Sequence, residues 1–66
     1  MLYFYVYQDE RQQWRWRFTS SNGEIIAIGS ESYHNFGDCE HAIDLLKKNA
    51  SNAVILGDVT YKKNRP

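Results

Sequence analysis

Tyr3, Tyr5 and Tyr7 alternate with Leu2, Phe4 and Val6, and further along Arg15 and Arg17 alternate with Trp14, Trp16 and Phe18. A period of two places the three tyrosines on one side of a strand and both arginines on one side of the next. If the two strands pair, aromatic and cationic side chains interleave on one sheet face. Single-stranded nucleic-acid binders use such faces, stacking each base on a ring for roughly 1 to 3 kcal/mol while Arg meets phosphate. Tyrosine and arginine also mark protein interfaces. They suit a bare solvent-facing sheet as well, where cross-strand pairs are worth about 0.2 to 1 kcal/mol and cation–π attraction adds to this. The expected binding residues are therefore Tyr3, Tyr5, Tyr7, Arg15 and Arg17. A protein or small ligand is the favoured partner and single-stranded nucleic acid the alternative, because eight Lys and Arg balance eight Asp and Glu. A domain that neutralises phosphates normally carries a basic excess.

The other chemistry-bearing residues cluster around Cys39. A thiol one turn into a helix can be made nucleophilic by the positive end of the helix dipole. Cys39, however, shares an apolar stripe with Ala42, Ile43 and Leu46, while His41 points about 200° away around a 3.6-residue turn. A buried, inert cysteine is the expectation. His34, Asp38, Cys39 and His41 have neither Cys-x-x-Cys nor His-Glu-x-x-His spacing, so no metal site is assigned. Gly23, Gly29, Gly37 and Gly57 are scattered and form no phosphate loop. No catalytic residue, cofactor or enzymatic activity is expected.

The elements that must position these residues can be read in order. The two alternating runs are strands. Ser20-Ser21-Asn22-Gly23 then signals a hairpin, so Glu24 to Ile28 returns antiparallel and completes a three-stranded meander. After a polar loop, Asn35 is an N-cap with Asp38 three residues on. The helix it opens carries Phe36, Cys39, Ala42, Ile43 and Leu46 on one stripe, packed on one face of the sheet, and ends near Asn49. Trp14, Trp16 and Phe18 face that stripe as core. Ala53 to Leu56 and Val59 to Tyr61 are β-prone, separated by Gly57 and Asp58, and read as a bent final strand or two short ones. The fold class is α+β, a β-β-β-α-β unit in a single domain over residues 1–61, with a frayed tail over 62–66.

A chain of 66 residues holds one small core, and apolar burial against conformational entropy comes out near zero at that length. With a single cysteine there is no intrachain disulfide to help. Self-association remains, most often as a two-fold homodimer. The N-terminus has no basic region or small-residue cleavage site of a signal peptide, and no apolar run reaches the ~20 residues that span a bilayer. No membrane association is expected, and with an unpaired cysteine the expected compartment is the cytoplasm.

Several spaced blocks carry a family resemblance: Tyr7-Gln8-Asp9, Trp14-Arg15-Trp16-Arg17, Ser21-Asn22-Gly23-Glu24-Ile25-Ile26-Ala27, Tyr33, and Ile43 with Lys47-Lys48-Asn49-Ala50. From about Phe4 to Ala50 the chain resembles the YegP-like family of small proteins of unknown function. That resemblance implies a β-β-β-α-β unit assembled, as tandem repeats or as two subunits, into a shared sheet with exchanged C-terminal strands. For one unit it implies a homodimer whose segment from Ala53 to Tyr61 crosses to its partner. Asn35-Phe36, Ala42 and Ser51 depart from the family pattern, and they touch only the helix start and the turn that follows the helix. The family supplies no established active site to carry over.

Overall fold

The computed structural model describes residues 1–64. Strands β1 (Tyr3–Gln8), β2 (Trp14–Thr19) and β3 (Ile25–Ile28) form one antiparallel sheet in the order β1-β2-β3, the expected meander. Its register sets Tyr5 opposite Arg17, Tyr7 opposite Arg15 and Val6 opposite Trp16.

Both hairpin connections follow one plan. In the second, Gly23 N donates to the Ser20 carbonyl (3.0 Å) and Ser20 N to the Glu24 carbonyl (2.9 Å), with Gly23 at φ +86°. This is a four-residue turn closed by a left-handed residue, and only Gly23 of the Asn-Gly pair takes positive φ. In the first, Gln12 occupies the same position at φ 61°, with Gln12 N on the Asp9 carbonyl and Asp9 N on the Gln13 carbonyl. The Asp9 carboxylate secures this turn by accepting from the backbone N–H of Arg11 and of Gln13. In β3 the pairing shifts by one residue between Phe18 opposite Ala27 and Thr19 opposite Ile25, which leaves Ile26 as a bulge.

Helix α1 (Phe36–Asn49) starts where the sequence places it. The Asn35 side chain accepts from Asp38 N at 2.9 Å, and Lys47 and Lys48 lie in the last turn. The helix covers β2. Trp16, Cys39 and Ile43 form the buried core, flanked by Phe4, Val6, Trp14, Phe18 and Tyr33. The stripe is only half used, for Phe36 and Leu46 remain 54% and 38% exposed. One helix cannot cover a three-stranded face, so the sheet stays open on both sides of α1.

The C-terminal segment departs from the expectation. A 3-10 turn (Ala50–Asn52) follows α1, and residues 53–58 form no ladder with any described strand. Val59 to Tyr61, expected as strand, belongs instead to a short helix α2 (Val59–Asn64). The cause is Asp58: its carboxylate accepts from Tyr61 N and its carbonyl from Lys62 N, both at 3.1 Å, which caps a helical turn. Strand propensity in Val59, Thr60 and Tyr61 counts only where a neighbouring strand offers pairing. Of the tail expected to fray, Lys62 to Asn64 are helical, and Arg65 and Pro66 lie outside the described residues.

Candidate functional site

The sheet face opposite α1 carries the residues singled out by type and spacing, and the structure divides them. Tyr5 and Tyr7 stack at 6.0 Å between centroids, and the Arg17 guanidinium lies 4.7 Å from the Tyr5 centroid and 5.5 Å from that of Tyr7. These three make one unit because the register sets Tyr5 beside Arg17 and the pleat brings Tyr7 to the same side. Tyr3 stands apart, opposite Thr19.

Arg15 is committed elsewhere. Its Nε donates to the Asp9 carboxylate at 2.7 Å, so its charge serves the β1–β2 turn. The hydrogen bond from Arg15, followed by that from Gln13 N, holds the Asp9 carboxyl below its ordinary value of 3.8. Sequence reading missed this partner, although Asp at the first position of a turn is a signal for such capping.

Beside the Tyr5–Arg17–Tyr7 unit lie two buried polar atoms without a hydrogen-bond partner, Arg17 Nε and Thr19 Oγ1. The same face continues onto β3 through Ile25 and Ile28, 47% and 62% exposed. The result is an aromatic and aliphatic surface with the Arg17 guanidinium set among its rings.

Cys39 is fully buried, and burial raises its thiol pKa, the Glu40 charge adding to the effect. The negative form is disfavoured there, so the position offers no ready thiolate. His34 and His41 are both exposed. Among the described residues no three His, Cys, Asp or Glu side chains converge on a point that could hold a metal ion, and no helix is long and apolar enough to cross a membrane.

Apolar side chains that a small domain normally hides are concentrated at the C-terminus. Val54, Ile55, Leu56 and Val59 are 78%, 72%, 87% and 70% exposed. The radius of gyration is 14.6 Å, against about 11 Å for a compact chain of this length. The accessible surface of 5785 Å² exceeds by about 1,400 Å² the roughly 4,400 Å² of a compact 7.8 kDa monomer.

Comparison with known proteins adds the family. Residues 9–56 match the model of a domain of unknown function, DUF1508. A UPF0339 protein of Neisseria meningitidis serogroup B is 48% identical over 46 residues, covering 70% of this chain and 80% of its own. One from Methanosarcina acetivorans is 41% identical over 56 residues, covering 85% and 95%. One from Treponema denticola is 36% identical over 53 residues, covering 80% and 90%. The solution structure of a protein from Haloferax volcanii superposes with a TM-score of 0.78 at 30% identity, over 85% of this chain and 93% of that one. With the domain model, the relatives and the fold in agreement, the chain belongs to the DUF1508 (UPF0339, YegP-like) family of small α+β proteins of unknown function.

Proposed function

We propose that this chain is a non-catalytic, self-associating interaction module, working as a cytoplasmic homodimer in which the segment Ala53–Leu56 of each copy is covered by the other. The observation that carries this is the run Val54-Ile55-Leu56, more than 70% exposed throughout, in a chain whose described residues form a buried core of three side chains. Water contact over that much apolar surface is unfavourable at about 25 cal/mol per Å². A second copy removes it and supplies the interior that one copy lacks. Exchange of this segment agrees with the family resemblance, now confined to Ala53–Leu56 because Val59 to Tyr61 is helical.

The Tyr5–Arg17–Tyr7 unit, with Tyr3 farther along the same face, is the surface we assign to a protein or small-ligand partner. The nucleic-acid alternative draws less support from the geometry. Arg15 is held by Asp9, and Arg17 covers the rings on which bases would stack.

Light scattering over a dilution series tests the self-association. The full chain is expected at twice its monomer mass at micromolar concentration, and the variant Val54→Ser, Ile55→Ser, Leu56→Ser at monomer mass. A chain that is monomeric throughout, or a triple variant that dimerises equally well, defeats the reading. Titration with single-stranded oligonucleotides at low salt tests the alternative, for which salt-sensitive binding lost in Arg17→Met is the signature.

A further inference from the structure

Two clefts lie beneath α1. On the β1 side one of about 530 Å³ is lined by Leu2, Phe4, Val6 and Ile43 and rimmed by Glu40 and Asp44. On the β3 side one of about 470 Å³ is walled by Trp16, Phe18, Ala27, Leu46 and Ala50. The opposite face of the sheet is an open surface, with Tyr5, Ile25 and Ile28 47%, 47% and 62% exposed. Small-molecule sites are concave and enclose their ligand, whereas aromatic residues with Arg on an open face are the composition of protein interfaces.

Two polar groups on this open face lack what their chemistry requires. Among the described residues Arg17 makes no ion pair, and its Nε is buried without a hydrogen-bond acceptor. The rings of Tyr5 and Tyr7 attract its charge but offer its N–H groups no lone pair. Two positions on, Thr19 is 4% exposed and its Oγ1 has no partner either. Alternation puts both residues on one side of β2, roughly 7 Å apart along the strand. Ile28 and Ile25 stand opposite Arg17 and Thr19 on the neighbouring strand, so apolar surface borders both donors.

Buried polar groups left unpaired are unfavourable, and an unpaired guanidinium calls for an anion. Arg15, the neighbouring cation on β2, is already answered by Asp9. A single guanidinium with planar donors matches a carboxylate in charge and geometry, whereas a phosphate dianion would keep charge uncompensated.

We propose, resting on the partner-surface reading above, that Arg17 anchors a carboxylate side chain in an acidic segment of a partner protein. The guanidinium donates to the carboxylate, Thr19 donates its hydroxyl to the same segment, and an apolar residue beside the carboxylate settles on Ile25 and Ile28. Tyr5 lies against Arg17 and Tyr3 stands opposite Thr19, at 47% and 38% exposure. Open side chains change rotamer in picoseconds to nanoseconds, so the buried atoms are within a ligand's reach.

Proton–nitrogen NMR of the full-length chain tests this, because it observes the Arg17 Nε–H directly. The probe is the capped tripeptide acetyl-Val-Glu-Val-amide at millimolar concentration, set against its Gln counterpart, acetate and inorganic phosphate. The Glu peptide is expected to shift the Arg17 Nε–H and the Thr19 and Ile28 amide resonances in a saturable way. The Gln peptide is expected to bind about tenfold or more weaker, the factor that a charged hydrogen bond carries, and acetate, which has no apolar neighbours, also weaker. Arg17→Gln is expected to lose the same factor. Thr19→Val removes an unpaired hydroxyl and keeps the shape, so it is expected to weaken binding about threefold or more without lowering Tm. Lys48→Gln, which removes a cation from α1, is expected to leave the affinity unchanged. A dispersed spectrum shows that each variant is folded.

Shifts on this face that are equal for the Glu and Gln peptides, or unaltered in both Arg17→Gln and Thr19→Val, overturn the carboxylate anchor and leave the partner surface standing. Acetate that binds as tightly as the Glu peptide overturns a protein segment as its source, and tighter binding of phosphate overturns the carboxylate. No shift on this face from any probe overturns the anchor, and peptide shifts that fall beneath α1 instead overturn the partner surface as well.

Discussion

Ile43→Ala is the sharpest probe of how little holds one copy of this chain together. Ile43 is 8% exposed and is one of three apolar residues in the core, between Trp16 on the sheet and Cys39 a turn away on α1. The substitution removes three carbons, and at about 0.8 kcal/mol each the transfer loss is about 2.4 kcal/mol. The additional cavity cost is small here, because Ile43 also lines the open β1-side cleft and water can follow the truncated side chain. The expected loss of about 2.5 kcal/mol is large against the ~3 to 10 kcal/mol available to a chain of this length. It corresponds to a fall of about 10 to 20 °C in Tm. Urea unfolding followed by tryptophan fluorescence, at two protein concentrations, measures it, with Leu45→Ala as the exposed control. For a self-associating chain the midpoint rises with concentration in both proteins, and the difference between them remains. A loss below about 1 kcal/mol, or one equal to that of Leu45→Ala, would refute the assignment of the core to this cluster.

Three further outcomes follow from the geometry. A Cβ at Gly29 would lie 2.5 Å from Trp16 Cε2 and Nε1, and Trp16 is buried, so Gly29→Ala is expected to destabilise by about 1 to 3 kcal/mol in thermal melts. The Cys39 thiol, buried and raised in pKa, is expected to react with a maleimide at neutral pH about a hundredfold or more slower than in urea, the factor that about 3 kcal/mol of folding stability imposes; equal rates would mean that it is open to solvent. Because the folded Asp9 carboxyl lies below its ordinary 3.8, its contribution to stability is complete above that value and is lost as pH falls through the folded one. Acid unfolding curves of the wild type and Asp9→Asn are therefore expected to converge at low pH, and a gap that is constant with pH would exclude the ion pair as its source.

The meander and the helix were legible in the residues because each rests on a local rule. Alternation along Leu2–Tyr7 and Trp14–Thr19, a turn ending in Gly23 and the Asn35 cap act within a few positions of chain, and each appears where its rule puts it. The burial of Cys39 and Ile43 was legible for the same reason, since helical spacing assigns them one face. Pairing the first two strands was enough to bring Tyr5 and Tyr7 to Arg17.

The commitment of Arg15 to Asp9 depended on how the first turn folds back, a distance of six residues that no periodicity reports. Only the assembled fold could show that a single helix leaves β3 and two clefts uncovered, because coverage is a matter of areas and not of residue types. The β-prone C-terminus was decided the same way. A strand exists through a neighbouring strand's hydrogen bonds, whereas the cap that Asp58 places on the turn from Val59 to Tyr61 acts within the segment itself, and there the local cap prevails.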